Sequence, residues 1–158
     1  MTFRIRRLAL VVLVSMGLCG CSGATDTDQS QASDGGVIEL AVSETCAEGS
    51  EPQCTAVGGE WVILPTAFEQ AAVDDAAVSD TAQRNAVDVT FSAEGASVLN
   101  SLTGQAALAG AEARLVFKVG DELLAAVAVM EALDGDQVTI ALAPDDDPQQ
   151  IVDLIHNT

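Results

Sequence analysis

The chain has 158 residues, of which 24 are acidic and only six are lysine or arginine, so its formal net charge at pH 7 is −18. Three of the six cations lie within the first seven residues, and all the acidic residues follow them. Because nucleic-acid binding requires a basic surface against the phosphates, this balance argues against nucleic acid as a partner. Anionic lipid headgroups would repel the chain as well.

The N-terminal segment is typical of a secretory signal. A positively charged start precedes an apolar segment of eleven residues, Leu8 to Leu18, which is too short to span about 30 Å of hydrocarbon comfortably. The run ends in Leu18-Cys19-Gly20-Cys21, which resembles the bacterial lipobox, where the last cysteine is acylated before cleavage. The resemblance implies that residues 1–20 are a lipoprotein signal peptide and that Cys19 leaves with it.

Cys21 would then be the lipidated first residue of the mature chain, which places the protein on the extracytoplasmic face of a cell membrane. A zinc or redox site is the alternative for Cys19 and Cys21. Such sites usually need Cys-x-x-Cys spacing and further ligands, and no nearby His or Cys completes a shell here. Because one acyl chain anchors a protein only marginally, we expect two or three chains, such as palmitate, on Cys21.

Residues 21–36 change sharply in composition. Small, polar and acidic side chains fill "SGATDTDQSQASDGG", which has no apolar side chain larger than alanine and therefore predicts a flexible acidic tether. Residues 37–158 remain, enough for one domain with a core. After the signal, 24 acidic residues face only three cations, Arg84, Arg114 and Lys118, a net charge of −21 that favours solubility on an exposed surface.

Two cysteines remain after processing, Cys46 and Cys54, with the loop-like "AEGSEPQ" between them. An extracytoplasmic compartment favours their oxidation, so we predict a structural disulfide. In the chain-entropy model, closing a loop of about nine residues stabilises a domain by about 2.5 kcal/mol.

Hydrophobic periodicity predicts short strands and two helices in the domain. Strands over residues 35–45 and 60–68 flank the cysteine loop, and residues 85–92 alternate apolar and polar side chains. Ser92 can cap a helix over residues 93–109, although Gly104 weakens its second half. The side chains predicted to face inward from the strand over residues 85–92 and from this helix are Val87, Val89, Phe91, Ala96, Leu99, Leu102 and Ala106.

The C-terminal third predicts a hairpin, a strand and a helix. The hairpin covers residues 113–130 with its turn near Gly120 and Asp121, and a strand follows the turn at Asp134 and Gly135. The inward-facing side chains are Leu115, Phe117 and Val119 in the hairpin and Val138, Ile140 and Leu142 in the strand.

The last helix has the clearest signal. Asp147 is a good N-cap, Pro148 suits the first helical position, and Gln150 completes an arrangement like a capping box. Its buried face is predicted to consist of Ile151, Leu154 and Ile155. The run Asp145 to Asp147 lacks the alternating ligands, central glycine and distal glutamate of an EF-hand loop, so we predict no metal site there.

Several local strings resemble the extracytoplasmic head of SecD, the accessory subunit of the Sec protein translocase. They are "VTFSAEGASVLNSLT" at 89–103, "LVFKVGDELLAAVAV" at 115–129 and "QVTIALAPDDDPQQIVDLI" at 137–155. Upstream, residues 60–91 follow the family's order of a strand, a Pro-Ala-containing turn and a further strand. The hairpin departs from the family, which usually has an Asp-Gly turn followed by Ser-Ala-Pro.

The SecD resemblance implies an α+β fold, a small ferredoxin-like antiparallel sheet with two helices packed on one face. It also implies contact with exported proteins or the translocase rather than covalent chemistry. The family's membrane helices, which use the proton gradient, are not recognised here. The predicted function is therefore a membrane-anchored surface lipoprotein that binds protein, accessory to protein export or envelope maintenance.

An envelope module with a structural or small-ligand-binding role, unrelated to export, is the alternative. Aromatic side chains are few, and Trp61 is interpreted as packing in the core or at a strand edge. An enzyme is not predicted, because the single histidine, His156, lies near the end of an amphipathic helix and no triad can be assembled around it. No cofactor is predicted either.

Overall fold

The computed structural model describes residues 35–50, 52–80 and 85–158, which form an antiparallel sheet, a separate hairpin and two helices. The six-stranded sheet has the order β7-β6-β1-β4-β5-β8, and every neighbouring pair is antiparallel. The elements in chain order are β1 (Val37–Glu44), β2 (Cys54–Val57), β3 (Glu60–Ile63), β4 (Glu69–Val78), β5 (Ala86–Phe91), α1 (Ala93–Ala109), β6 (Ala113–Val119), β7 (Glu122–Ala128), β8 (Gln137–Ala141) and α2 (Pro148–His156).

The prediction of an α+β fold with an antiparallel sheet and two helices is confirmed. Both helices share one hydrophobic core with the sheet, so they cover the same face. The sheet is larger than the small one expected, and five strands precede α1, whereas ferredoxin-like folds have the order β-α-β-β-α-β. No helix among the described residues is long and apolar enough to cross a membrane.

The alternation of large apolar and polar side chains from Val87 to Phe91 determines which face of β5 meets the helices. Val87, Val89 and Phe91 are buried, while Asp88 between them is exposed. Leu115, Phe117 and Val119 of β6 are buried in the same core, as expected from their period of two. The predicted inward-facing residues of both strands are therefore confirmed.

The helix α1 begins and ends where the sequence predicts. The Ser92 hydroxyl accepts a hydrogen bond from the Gly95 backbone N–H at 3.1 Å, which satisfies one of the free donors of the first turn. Gly104 does not interrupt the helix, which continues to Ala109. Leu99, Leu102 and Ala106 are buried, and Ala96 is partly buried.

The helix α2 is capped by Asp147, with Pro148 in its first turn. Ile151 and Ile155 are buried as predicted, but the third buried apolar side chain is Val152, and Leu154 is only partly buried. The helix meets the core through a broader face than the predicted stripe.

Lowering the pH should remove the electrostatic part of this cap. The Gln150 side chain and then the Gln149 N–H donate hydrogen bonds to Asp147 and hold its pKa below the ordinary 3.8. A lowered folded-state pKa means that the stabilisation is present above the unfolded-state pKa and is lost as pH falls through the folded one. NMR titration should give an Asp147 midpoint below 3.8.

The control for that titration is Asp147→Asn, which keeps a good N-cap without a titrating group. Because residue 147 of this variant does not titrate, it should contribute no change in the helical circular dichroism signal as the pH falls below 3.8. An Asp147 midpoint at or above 3.8 would contradict the capping geometry.

The short hairpin β2-β3 packs on the sheet face opposite the helices. Val57 and Val62 of the hairpin contact Val116 and Ala126 of the sheet in a second small core. The Ser43 hydroxyl of β1 donates a hydrogen bond to the Ile63 carbonyl, which ties the hairpin to the central strand. This face of the sheet is therefore covered where β1, β6 and β7 lie together.

The predicted disulfide between Cys46 and Cys54 is present, with the two Cα atoms 6.0 Å apart. It joins the chain just after β1 to the first residue of β2. Trp61 lies opposite the exposed Ala56 and is half-buried on the hairpin side that faces away from the sheet. The predicted strand over 60–68 ends earlier, at Ile63. The predicted signal peptide, Cys21 and most of the tether lie outside the described residues.

Candidate functional site: a cleft between the sheet edges

The two outermost strands of the sheet, β7 and β8, both line one apolar cleft. The sheet order places them at opposite edges, so the sheet curls until the edges approach each other across this cleft. The cleft has a volume of about 480 Å³, and we call it the edge cleft. Its floor and sides include Leu115, Phe117, Val127, Ala128, Val138 and Ile140.

The third wall of the edge cleft is the connection over residues 129–136, which joins β7 to β8. A buried threonine holds this connection against α1: the Leu133 N–H donates to the Thr103 hydroxyl at 3.1 Å. The same hydroxyl donates to the Asn100 carbonyl one turn earlier, also at 3.1 Å. Thr103 therefore uses both its donor and an acceptor position to fix the cleft wall.

Replacing Thr103 with valine should destabilise the domain by about 1 to 2 kcal/mol, because the Leu133 N–H loses its partner while the side-chain volume is nearly unchanged. Urea unfolding followed by circular dichroism would measure the loss. Thr103→Ser, which retains the hydroxyl, should recover the hydrogen bond. Equal losses in the two variants would contradict the role of the hydroxyl.

Large apolar side chains at the rim of the edge cleft face solvent. Met130 is 89% exposed, Leu133 41% and Val127 37%. Isolated exposed apolar residues are normal on proteins, but these three line one concavity. Exposed apolar side chains gathered in this way are typical of an interaction site.

The charges around the edge cleft are negative. Glu131 is the only charged residue of the described part of the chain that lines it, and Asp134 and Asp136 lie in the same connection. The cations Arg114 and Lys118 lie on the other face of the sheet, in ion pairs with Glu60 at 3.2 Å and Glu39 at 2.5 Å. Among the residues that the structure describes, no cation lines the cleft, so the field of these residues attracts positive groups and repels carboxylates.

The residues that could carry other chemistry do not converge. His156 is exposed at the end of α2, and no group of three His, Cys, Asp or Glu among the described residues could hold a metal ion. In the acidic run, the Asp146 carboxylate accepts a hydrogen bond from the Ala143 N–H and Asp147 caps α2. These carboxylates therefore have local structural roles.

The edge cleft was not predicted from the sequence, although one signal was available. The string "AVAVMEALDG" continues the apolar character of β7 past the point where the strand ends, so Met130 and Leu133 are apolar residues in a connection. Apolar side chains in an exposed loop have no obvious packing role. That pattern indicates a surface site, but not its shape.

Comparisons with protein-family models, curated proteins and solved structures each find no match to this chain. The SecD resemblance and the lipobox therefore stay predictions from the sequence. A functional argument must rest on the residues and on the geometry of the edge cleft.

Proposed function

We propose that this chain is a lipid-anchored extracytoplasmic protein whose α+β domain binds protein through the edge cleft. The observation that carries the proposal is the concave apolar surface with Met130, Leu133 and Val127 open to solvent. Burying apolar surface of this kind against a partner is favourable by about 25 cal/mol for each Å² removed from water. A domain of high negative charge stays soluble while it presents such a surface.

The order of elements supports a SecD-head-like domain, and a role near protein export is what that resemblance implies. From β5 to α2 the chain runs strand, helix, hairpin, strand, helix, which is the order of the three strings that carry the resemblance. Both helices lie on one face of the antiparallel sheet, as in the ferredoxin-like arrangement. The strands that precede β5 would then be an elaboration of that arrangement. An exported chain or the translocase is the proposed partner.

The membrane attachment is proposed at Cys21. Gly35 and Gly36 pack against the domain, where the Gly36 carbonyl accepts a hydrogen bond from the Val73 N–H. The preceding residues 21–34 could extend by up to about 45 Å, which would let the domain stand clear of the lipid surface. Mass spectrometry of the natively produced protein should find a lipid adduct on an N-terminal Cys21. An unmodified chain that starts at Met1 would contradict the anchor.

Protein binding is tested with a photo-crosslinking amino acid introduced at Met130 of the lipidated protein in its native cell. Crosslinks to exported chains or to the translocase should form there. Gln149 is the matched control position, because it is exposed on α2 and does not line the edge cleft, and it should give no such crosslinks. Crosslinks to neither partner from Met130 would remove the export role.

A small-ligand role is the second candidate, and the volume of the edge cleft favours it. About 480 Å³ falls within the range of roughly 300 to 1,000 Å³ that is typical of ligand pockets. Native mass spectrometry of the purified protein distinguishes the two functions. A small apolar molecule that co-purifies in stoichiometric amount, and is lost when Met130 and Leu133 become serine, would replace the protein-binding proposal.

A further inference from the structure

One side of the edge strand β8 has backbone groups without a partner among the described residues. Within the described residues β8 pairs only with β5: the Phe91 N–H donates to the Asp136 carbonyl at 2.7 Å, and the Leu142 N–H donates to the Asn85 carbonyl at 2.8 Å. Hydrogen-bonded positions alternate along an antiparallel strand. The backbone groups that point away from β5 therefore belong to Gln137, Thr139 and Ala141, all of which are exposed.

Nothing in the sequence of β8 protects this edge. Edge strands commonly carry lysine, proline, an inward charge or a bulge that prevents pairing with another chain. The strand reads Gln-Val-Thr-Ile-Ala, without charge or proline, and its register with β5 runs without a bulge. By contrast, the β4-β5 and β6-β7 pairs both contain a register shift. Within the described residues the edge therefore has no bulge and is available for a further strand.

The edge cleft lies beside this open edge. Val138 and Ile140 of β8 line it, together with Phe117 in its floor. Because side chains at paired positions of adjacent strands lie on the same face, a strand added to β8 would direct every second side chain into the cleft. The cleft is mostly apolar, so those alternate side chains must be apolar.

Charge distinguishes among the occupants that could fill this space. Glu131 lines the edge cleft, Asp134 and Asp136 lie in its wall, and none of the described residues there is a cation. A second copy of this chain, whose segment after the signal has 24 acidic residues and three cations, would be repelled. A segment with lysine or arginine beside its apolar residues is the occupant that complements this field.

We propose that β8 accepts an extended polypeptide segment as an added strand, with alternate apolar side chains in the edge cleft and basic residues beside Glu131 and the aspartates. The inference rests on the proposed protein-binding function and names its substrate class: unfolded, extended chain rather than a folded surface. Main-chain hydrogen bonds from Gln137, Thr139 and Ala141 supply affinity with little sequence preference. The cleft then favours segments in which every second side chain is apolar.

The experiment measures hydrogen exchange with residue resolution in the mature lipidated protein in detergent micelles. The probe is a short peptide in which valine alternates with threonine between pairs of lysines. We expect saturating peptide to slow exchange at the amides of Gln137, Thr139 and Ala141 by about tenfold. A peptide of the same composition with its valines in one block, and one N-methylated on alternate backbone amides, should not slow it.

Thr139→Pro provides the matched variant, because proline removes an outward N–H that the β5 ladder does not use. Its control is Thr139→Val, which loses the same 2.6 Å hydrogen bond to Asp88 but keeps the backbone donor. Peptide-induced protection should vanish in the first variant and persist in the second. The N-methylated peptide gives the same test on the unmodified protein if the proline variant fails to fold.

Three outcomes would overturn strand addition. The first is a peptide that binds without slowing hydrogen exchange at these amides, and the second is a peptide that does not bind at all. The third is exchange that slows when the protein concentration alone is raised, which would indicate pairing between copies. Crosslinking from Met130 is independent of these results. If it succeeds while the amides stay unprotected, protein binding survives and strand addition does not.

Discussion

Gly95→Ala should lower the free energy of unfolding by about 3 kcal/mol. A Cβ atom at this position would lie 2.1 Å from the Ala72 carbonyl oxygen and 2.9 Å from the Ala72 nitrogen. Both atoms belong to the backbone of β4, so no side-chain rotation can relieve the clash and α1 must move away from the sheet. The Ser92 N–H, which donates to the same carbonyl at 2.9 Å, would be displaced as well.

Gly104→Ala is the control within the same helix and should have the opposite sign. Its Cβ would meet only the Ala132 side chain, at 3.9 Å, which is ordinary contact. Alanine in a helix interior is favoured over glycine by about 0.8 to 1 kcal/mol, so this variant should be more stable. Urea unfolding followed by circular dichroism measures both. Losses of similar size at the two positions would contradict the close packing of α1 on β4.

This close approach bears on the residues from Phe91 to Ala96, which lie within the first of the three strings that resemble SecD. Phe91 is buried in the core, Ser92 caps α1, and Gly95 permits contact with β4. Each residue type is explained by the way a strand passes into a helix that lies against a sheet. The string is therefore evidence about fold, and it says little about export.

Elements with strong local signals could be predicted from the sequence. The alternation of β5, the Ser92 cap, the Gly120 turn between β6 and β7, and the Asp147-Pro148 start of α2 all depend on residues close together in the chain. Side-chain period and capping chemistry act over this range, so their outcome does not depend on the rest of the fold.

Two strands could not be predicted in this way. β4 reads "EQAAVDDAAV", rich in alanine and aspartate, and a register shift between Val73 and Asp75 breaks its pairing with β5. It is a strand because β1 and β5 pair with it on either side, a tertiary effect that overrides weak propensity. β2 has only four residues and depends on β3 and the underlying Val116.

The edge cleft has the same nonlocal origin. Its lining comes from α1, three strands and the connection over 129–136, which meet only because β7 and β8 become opposite edges of one curled sheet. That order follows from the pairing of β1 with β6, two strands separated by about half the domain. Periodicity gives each strand its buried face but carries no information about which strands become neighbours.

Replacing both Cys46 and Cys54 with serine should lower the free energy of unfolding by about 2.5 kcal/mol, because the unfolded chain regains the entropy that the closed loop removes. Trp61 is the only tryptophan, so its fluorescence reports on the hairpin, while circular dichroism reports on the helices. Urea unfolding of both signals gives the loss. Dithiothreitol should destabilise the original protein by a similar amount and leave the double-serine variant unchanged.

The comparison of the two signals tests how the hairpin depends on the sheet. Val57 and Val62 are buried against Val116 and Ala126, and the Glu60–Arg114 ion pair joins the hairpin to β6, so these contacts should hold the hairpin without the disulfide. Both signals of the double-serine variant should then shift together to lower urea. A fluorescence transition that precedes the loss of helix would mean that the hairpin unfolds by itself. In that case the disulfide, rather than the apolar contacts, would keep this face of the sheet covered.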